Sequence, residues 1–236
     1  MIVSSSSSNL SRIKRVNSFD ELIRTPLADG INALCWERTL AGDFGEVVQR
    51  LGTREGVTNL DEDLLQSLPL SPAGRQAVAT MLRDFQLLAE QELSPVLNLI
   101  QRYPRDETAE IVPTDVYSFH ADSAPVEADT YLCTYHGPCS EGLRNEEAVR
   151  RVDHPETRTQ LLTRFGGADD EHFHAFLREN CYDLHYAPRP NARPYSFGLG
   201  NLWRIATDWP GNPVPPCIHR APENLPGLPP RLLLIS

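Results

Sequence analysis

Two metal-ligating side chains stand two residues apart in Phe119-His120-Ala121-Asp122, directly after the strand-like run Val116-Tyr117-Ser118-Phe119. On a strand, residues i and i+2 share a face, so the His120 imidazole and the Asp122 carboxylate can converge on one ion. A neutral imidazole paired with a carboxylate suits iron(II) or zinc. Much later, Cys217-Ile218-His219-Arg220-Ala221-Pro222 supplies a further histidine leading into a Pro/Gly loop, and Arg231 opens the apolar run Arg231-Leu232-Leu233-Leu234-Ile235. If Arg231 points inward it needs an anionic partner, because an unpaired buried charge is costly. Taken singly, each fragment has a plain reading: a solvated turn for the His/Asp pair, a core strand for Leu232 to Leu234.

Other residues bear on the same chemistry more weakly. Tyr117, Thr134, Tyr135, Trp209 and Asn212 flank the candidate ligands and can line a pocket, although aromatics at strand spacing are more often core. His136 is a candidate substrate contact or a further ligand. His172 and His174 lie two apart in a helical pattern and therefore diverge. His154 and His185 have no partner pattern, and Ala168-Asp169-Asp170-Glu171 reads as a cap on the helix that follows. Five cysteines, odd in number and without a CxxC pair, suggest neither a disulfide framework nor a four-cysteine zinc site.

The elements that must position these groups fall into two textures. Residues 1 to about 16 are Ser-rich and basic and read as a mobile tail. Ser18-Phe19-Asp20-Glu21 reads as a capping box before a short helix, Gly30 to Arg38 as an early strand, Phe44 to Leu51 as a helix stopped by Gly52, and Asp61 to Leu68 as a further helical turn. From Pro72 to Leu99 the apolar positions fall largely on one helical stripe, with Pro95 expected to break or kink it. Residues 17–105 thus read as a mainly helical layer. Beyond Arg105, Val116–Phe119, Asp129–Tyr135, Tyr195–Leu199, Leu202–Ala206 and Arg231–Ile235 have the β-branched and aromatic content of strands. Asn145 to Asn180 is charged and helical, broken at Gly166-Gly167. It lies within a long insertion, residues 141–199, read as a cover over the site, in which Arg144, Arg150, Arg151 or Arg164 can hold a substrate carboxylate. Helices followed by strands make the chain α+β, with residues 17–236 as one domain.

A net charge of -10 argues against a broad electrostatic grip on nucleic acid. No run approaches the ~20 apolar residues that span a bilayer, and no secretory signal is recognisable, so a cytoplasmic protein acting on a small molecule is expected. The sequence leaves the oligomeric state open.

The order HxD, then a distant His, then Arg resembles the Fe(II)/2-oxoglutarate-dependent oxygenase superfamily over about Val116 to Ile235. Phe119-His-Ala-Asp-Ser-Ala-Pro125, Leu132-Cys-Thr-Tyr-His-Gly-Pro138, Trp209-Pro-Gly-Asn212 and His219-Arg-Ala-Pro222 are similar to blocks of a bacterial domain-of-unknown-function family with that same order. His136 departs from the Arg expected there, and the 141–199 insertion is long. The resemblance implies a double-stranded β-helix, the jelly roll of cupin-like proteins, with residues 106–236 as its core. It implies Fe(II) on His120, Asp122 and His219, and 2-oxoglutarate on Arg231 with Thr134 and Tyr135 nearby. Tyr117, His136, Trp209 and Asn212 then fall to the substrate. In such enzymes O2 and 2-oxoglutarate yield succinate and CO2 while a substrate carbon is hydroxylated, desaturated or cyclised. A small polar metabolite such as a free amino acid is the expected substrate. Two other readings remain open: a non-redox metal-binding or metal-homeostasis protein using the same three ligands, and a non-catalytic cupin-like scaffold.

Overall fold

The computed structural model describes residues 12–106, 110–223 and 227–236. Its strands form two sheets. The seven-stranded sheet runs, in spatial order, β1 (Ile13–Val16), β2 (Ala33–Trp36), β11 (Leu202–Ala206), β6 (Asp129–His136), β13 (Arg231–Ile235), β4 (Val96–Ile100) and β3 (Val57–Leu60). The six-stranded sheet runs β10 (Tyr195–Ser196), β7 (Glu141–Leu143), β12 (Ile218–Arg220), β5 (Phe119–His120), β9 (His185–Pro188) and β8 (Ala148–Arg150). Six α-helices accompany them among the described residues: α1 (Phe19–Arg24), α2 (Phe44–Leu51), α3 (Glu62–Ser67), α4 (Pro72–Ala89), α5 (Pro155–Phe165) and α6 (Glu171–Glu179). The architecture is therefore mixed α+β. No described helix is long and apolar enough to cross a membrane.

Short polar side chains begin most of the helices. Ser18, Asp43, Asp61, Ser71 and Asp170 each accept a hydrogen bond from a first-turn N–H, satisfying donors the helix itself cannot. Gly42 lets α2 start hard against α4: at φ +123°, an added Cβ would lie 2.6 Å from the Ala77 nitrogen.

The central strand β6 is buried on both faces, and its alternation separates two cores. Tyr131, Cys133 and Tyr135 pack with Leu22, Val47, Met81 and Leu88 under helices α1, α2 and α4. On the opposite face Leu132 joins Trp203, Ile205 and Leu233, together with Phe197 and Cys217 from the side of the second sheet. The helical side also holds a buried polar network. Arg38 binds Asp84 through both oxygens, at 2.7 and 2.8 Å, and the Tyr135 hydroxyl donates to the same carboxylate at 2.8 Å.

The structure differs from the sequence reading at several elements. The helix from Pro72 stops at Ala89; Glu92 turns the chain at φ 58°, and Val96–Ile100 becomes β4, paired with β3 on one side and β13 on the other. Residues 17–105 are accordingly not a separate helical layer, because they contribute β2, β3 and β4 to the larger sheet. The expected tail is shorter at its C-terminal end: Ile13–Val16 pairs in parallel with β2, while residues 1–11 lie outside the described residues. The 141–199 insertion is only partly helical. Its two ends, β7 and β10, pair with each other, and β8 and β9 extend the sheet beyond β5. Helices α5 and α6 pack around Leu161, Phe173 and Leu177 in a core of their own.

Candidate metal centre

The smaller sheet brings the distant His219 to the His/Asp pair. In β12 and β5, His219 pairs directly with His120, so both side chains leave the same face. Their rings lie 4.6 Å apart, centroid to centroid. Asp122 follows two residues after His120, with Oδ1 3.7 Å from His120 Nε2 and Oδ2 3.7 Å from His219 Nε2. One ligand atom from each residue lies within 4.8 Å of the others, and the group can hold a metal ion.

The backbone fixes which imidazole nitrogen is offered. His120 Nδ1 lies 2.8 Å from the Ser118 carbonyl, and His219 Nδ1 lies 3.3 Å from the Cys217 carbonyl. A carbonyl only accepts, so each Nδ1 carries a proton and each Nε2 is the nitrogen turned toward Asp122. Thr130 donates to Asp122 Oδ2 at 2.6 Å and orients the carboxylate. Burial, reinforced by His219, pushes the His120 imidazole down to about 4 and keeps it neutral. Burial by itself would raise the Asp122 carboxyl, but His219, the Thr130 hydroxyl and His120 together hold it below the usual range. A neutral His120 imidazole and an ionised Asp122 carboxylate are protonation states that suit a divalent cation.

Arg231 enters β13 on the face shared with Leu233, toward the core between the sheets, while Leu232 and Leu234 pack on the helical side. It is 3% exposed. Nη2 donates to Ser140 Oγ at 2.9 Å and reaches Thr134 Oγ1 only at 3.5 Å, and Nε is buried without a partner. Burial lowers the guanidinium's pKa, opposed by the neighbouring Tyr103, Cys139 and Tyr117. No carboxylate forms an ion pair with it among the described residues, which leaves a buried cation suited to an anion from outside the chain.

The remaining sequence candidates divide. Thr134 faces Arg231, and Tyr117 lies close enough to influence it; the Tyr117 hydroxyl is itself held by the Tyr103 backbone N–H at 2.9 Å. Tyr135, one residue after Thr134, emerges on the other face, stacked 5.5 Å from Phe44 and bonded to Asp84, so it is not brought to Arg231. His136 lies beside the start of α2, where burial lowers its pKa against the pull of Asp43, and is likewise outside the metal group. Asn212 serves its own loop, donating to the Thr207 carbonyl at 2.7 Å and accepting from the Val214 N–H at 3.0 Å. That loop runs along the site through Asp208, whose N–H donates to the Asp122 carbonyl at 2.7 Å, and half-buried Trp209 follows it.

His185 is the residue that sequence reasoning missed. It pairs with His120 across β5 and β9, their rings 5.7 Å apart, and its Nδ1 is buried without a partner. Burial, then His120 and Arg151, push its imidazole down to about 4. Only the pairing of strands far apart in the chain brings it to the site, and no spacing rule reports that.

No family model, curated protein or solved structure matches the chain.

Proposed function

We propose that this chain is a mononuclear non-haem iron(II) oxygenase that uses 2-oxoglutarate as co-substrate. The observation that carries the reading is the buried, incompletely satisfied Arg231, opening onto the interior between the sheets in a fold that also assembles a His/Asp/His group. A site that merely stored a cation has no use for a buried arginine lacking an anion.

The strand order supports a double-stranded β-helix core. Along the chain β4, β6, β11 and β13 of the larger sheet interleave with β5, β7, β10 and β12 of the smaller one, and each group of four is contiguous in its sheet. Such an order is what the winding of a jelly roll, in which two sheets exchange strands around one cavity, would produce.

His120, Asp122 and His219 would hold the iron. An iron bound there would supply the oxidising chemistry, in which O2 oxidises a substrate carbon while 2-oxoglutarate becomes succinate and CO2. The chain's own groups do the positioning. Ser118 and Cys217 fix the imidazole tautomers through their carbonyls, Thr130 orients Asp122, and Arg231 with Ser140 and Thr134 receives the distal carboxylate, a planar anion that matches a guanidinium. The substrate is a small polar molecule.

Anaerobic addition of Fe(II) and 2-oxoglutarate tests the reading directly. Expected is a weak visible charge-transfer band that needs both additions, followed by stoichiometric succinate on admitting O2. Tight metal binding without the band would leave the three ligands as a non-redox metal site and end the oxygenase reading.

A further inference from the structure

We propose that Arg151 and His185 form a carboxylate-binding subsite beside the metal group, so that the substrate is a small carboxylic acid held by its anionic end. The proposal rests on the site described above and assigns it a substrate class.

The smaller sheet presents a row of residues across neighbouring strands. His219 pairs with His120, and His120 pairs with His185. Between β8 and β9 the register pairs Ala148 with Pro188, Val149 with Ala187 and Arg150 with Tyr186, and Arg151 comes next, opening a 3-10 turn (Arg151–Asp153) that packs against β9. Its charge is felt at the His185 imidazole. With strands about 4.8 Å apart, Arg151 starts only ~10 Å along the row from His120, within reach of a long side chain.

Four arginines of the 141–199 segment were candidates for holding a carboxylate, and their partners now separate them. Arg150 is bound to Asp153 at 3.0 Å and Arg144 to Glu147 at 3.3 Å, while Arg164 is exposed. Arg151 has no ion pair among the described residues, and its Nε is buried without a hydrogen-bond partner. Beside it, His185 Nδ1 is buried and equally unpartnered. Asp115 and Asp106 pull against the depression of the His185 imidazole, but Asp115 lies 3.6 Å from Arg105, Asp106 accepts from the Thr114 hydroxyl, and Asp122 belongs to the metal group. Two adjacent buried nitrogens, Arg151 Nε and His185 Nδ1, that lack partners among the described residues, one of them on a fixed cation, match a ligand that brings two acceptor oxygens.

The test uses propionate as probe and propionamide as its neutral counterpart, read by saturation-transfer NMR on the full chain. The host is the Arg231→Leu protein, which removes the buried arginine already assigned to a carboxylate. Saturable propionate binding is expected in that host, weakened at least tenfold by adding Arg151→Gln and unaffected by adding Arg164→Gln, with no signal from propionamide. Arg151→Lys, which keeps the charge, should bind more tightly than Arg151→Gln, and a cooperative melt checks that each variant folds. Mn(II) added to the His/Asp/His group should broaden the bound probe. No saturable propionate in the host, undiminished binding after Arg151→Gln, or a bound probe left sharp by site-bound Mn(II) overturns the proposal. The oxygenase reading is judged separately, because 2-oxoglutarate takes no part in these measurements and Mn(II) occupancy is read independently from water-proton relaxation.

Discussion

Replacing Arg231 by leucine should stabilise the ligand-free protein and abolish its response to 2-oxoglutarate. Among the described residues the guanidinium donates to Ser140 at 2.9 Å and, at the limit, to Thr134 at 3.5 Å, the Tyr103 hydroxyl lies against it, and its buried Nε has no partner. Exchanging such a poorly compensated buried charge for an apolar side chain of similar volume commonly gains about 1–3 kcal/mol. Arg38 makes the informative contrast. It is less deeply buried but binds Asp84 through both oxygens, so Arg38→Leu strands a buried carboxylate and should cost about 3–5 kcal/mol. In the wild type, 2-oxoglutarate at a hundred times its dissociation constant should add about 2.7 kcal/mol, a Tm rise of ~5–10 °C for a chain of this size. Differential scanning fluorimetry with Mn(II), with and without 2-oxoglutarate, reads both effects. An Arg231→Leu protein that melts below wild type in the absence of ligand, or that still rises with 2-oxoglutarate, would refute the reasoning, because the arginine would then be satisfied by the fold itself.

Three further outcomes are expected. Thr130→Val removes the bond that orients Asp122 and should weaken metal binding by roughly 10–100-fold with little loss of stability, checked by isothermal titration with Mn(II). Tyr135→Phe should cost about 1–2 kcal/mol through its lost bond to Asp84 and leave the 2-oxoglutarate shift intact; a vanished shift would place Tyr135 back at the co-substrate. The metal-free protein should lose stability as pH falls from about 6.5 toward about 4. Folding depresses the His120 imidazole to about 4, so in that window the unfolded chain binds more protons, and the loss attributable to His120 is about 2 kcal/mol by pH 5. Urea midpoints in EDTA measure it, and a His120→Gln protein with the same pH slope as wild type would remove His120 as the cause.

What the sequence disclosed follows the range over which each signal acts. The His120/Asp122 pair was legible because convergence on a strand needs only a period of two. Arg231 was legible because a charge in an apolar strand demands an explanation, while His219 was assigned from the order of motifs. Thr134 and Tyr135 show where that reach ends. Their alternation says that they diverge, but β6 is buried on both faces, so polarity does not reveal which side looks toward Arg231 and which toward Asp84. Helix and strand were confused at β4 for a related reason. Val96 and Leu97 continue a helical stripe from Leu93, while Leu97 and Leu99 fit a two-residue alternation, and only pairing with β3 and β13 decides between them. His185 and Arg151 lie at the far end of the same scale. Nothing near either residue distinguishes it from a surface histidine or any other arginine of a charged segment, and their proximity to His120 exists only once β5, β9 and β8 have paired. The candidate metal ligands, drawn from two short motifs, could therefore be read directly. A pocket that selects a substrate must be complementary to something outside the chain, and the one proposed above draws on residues that local pattern leaves unmarked.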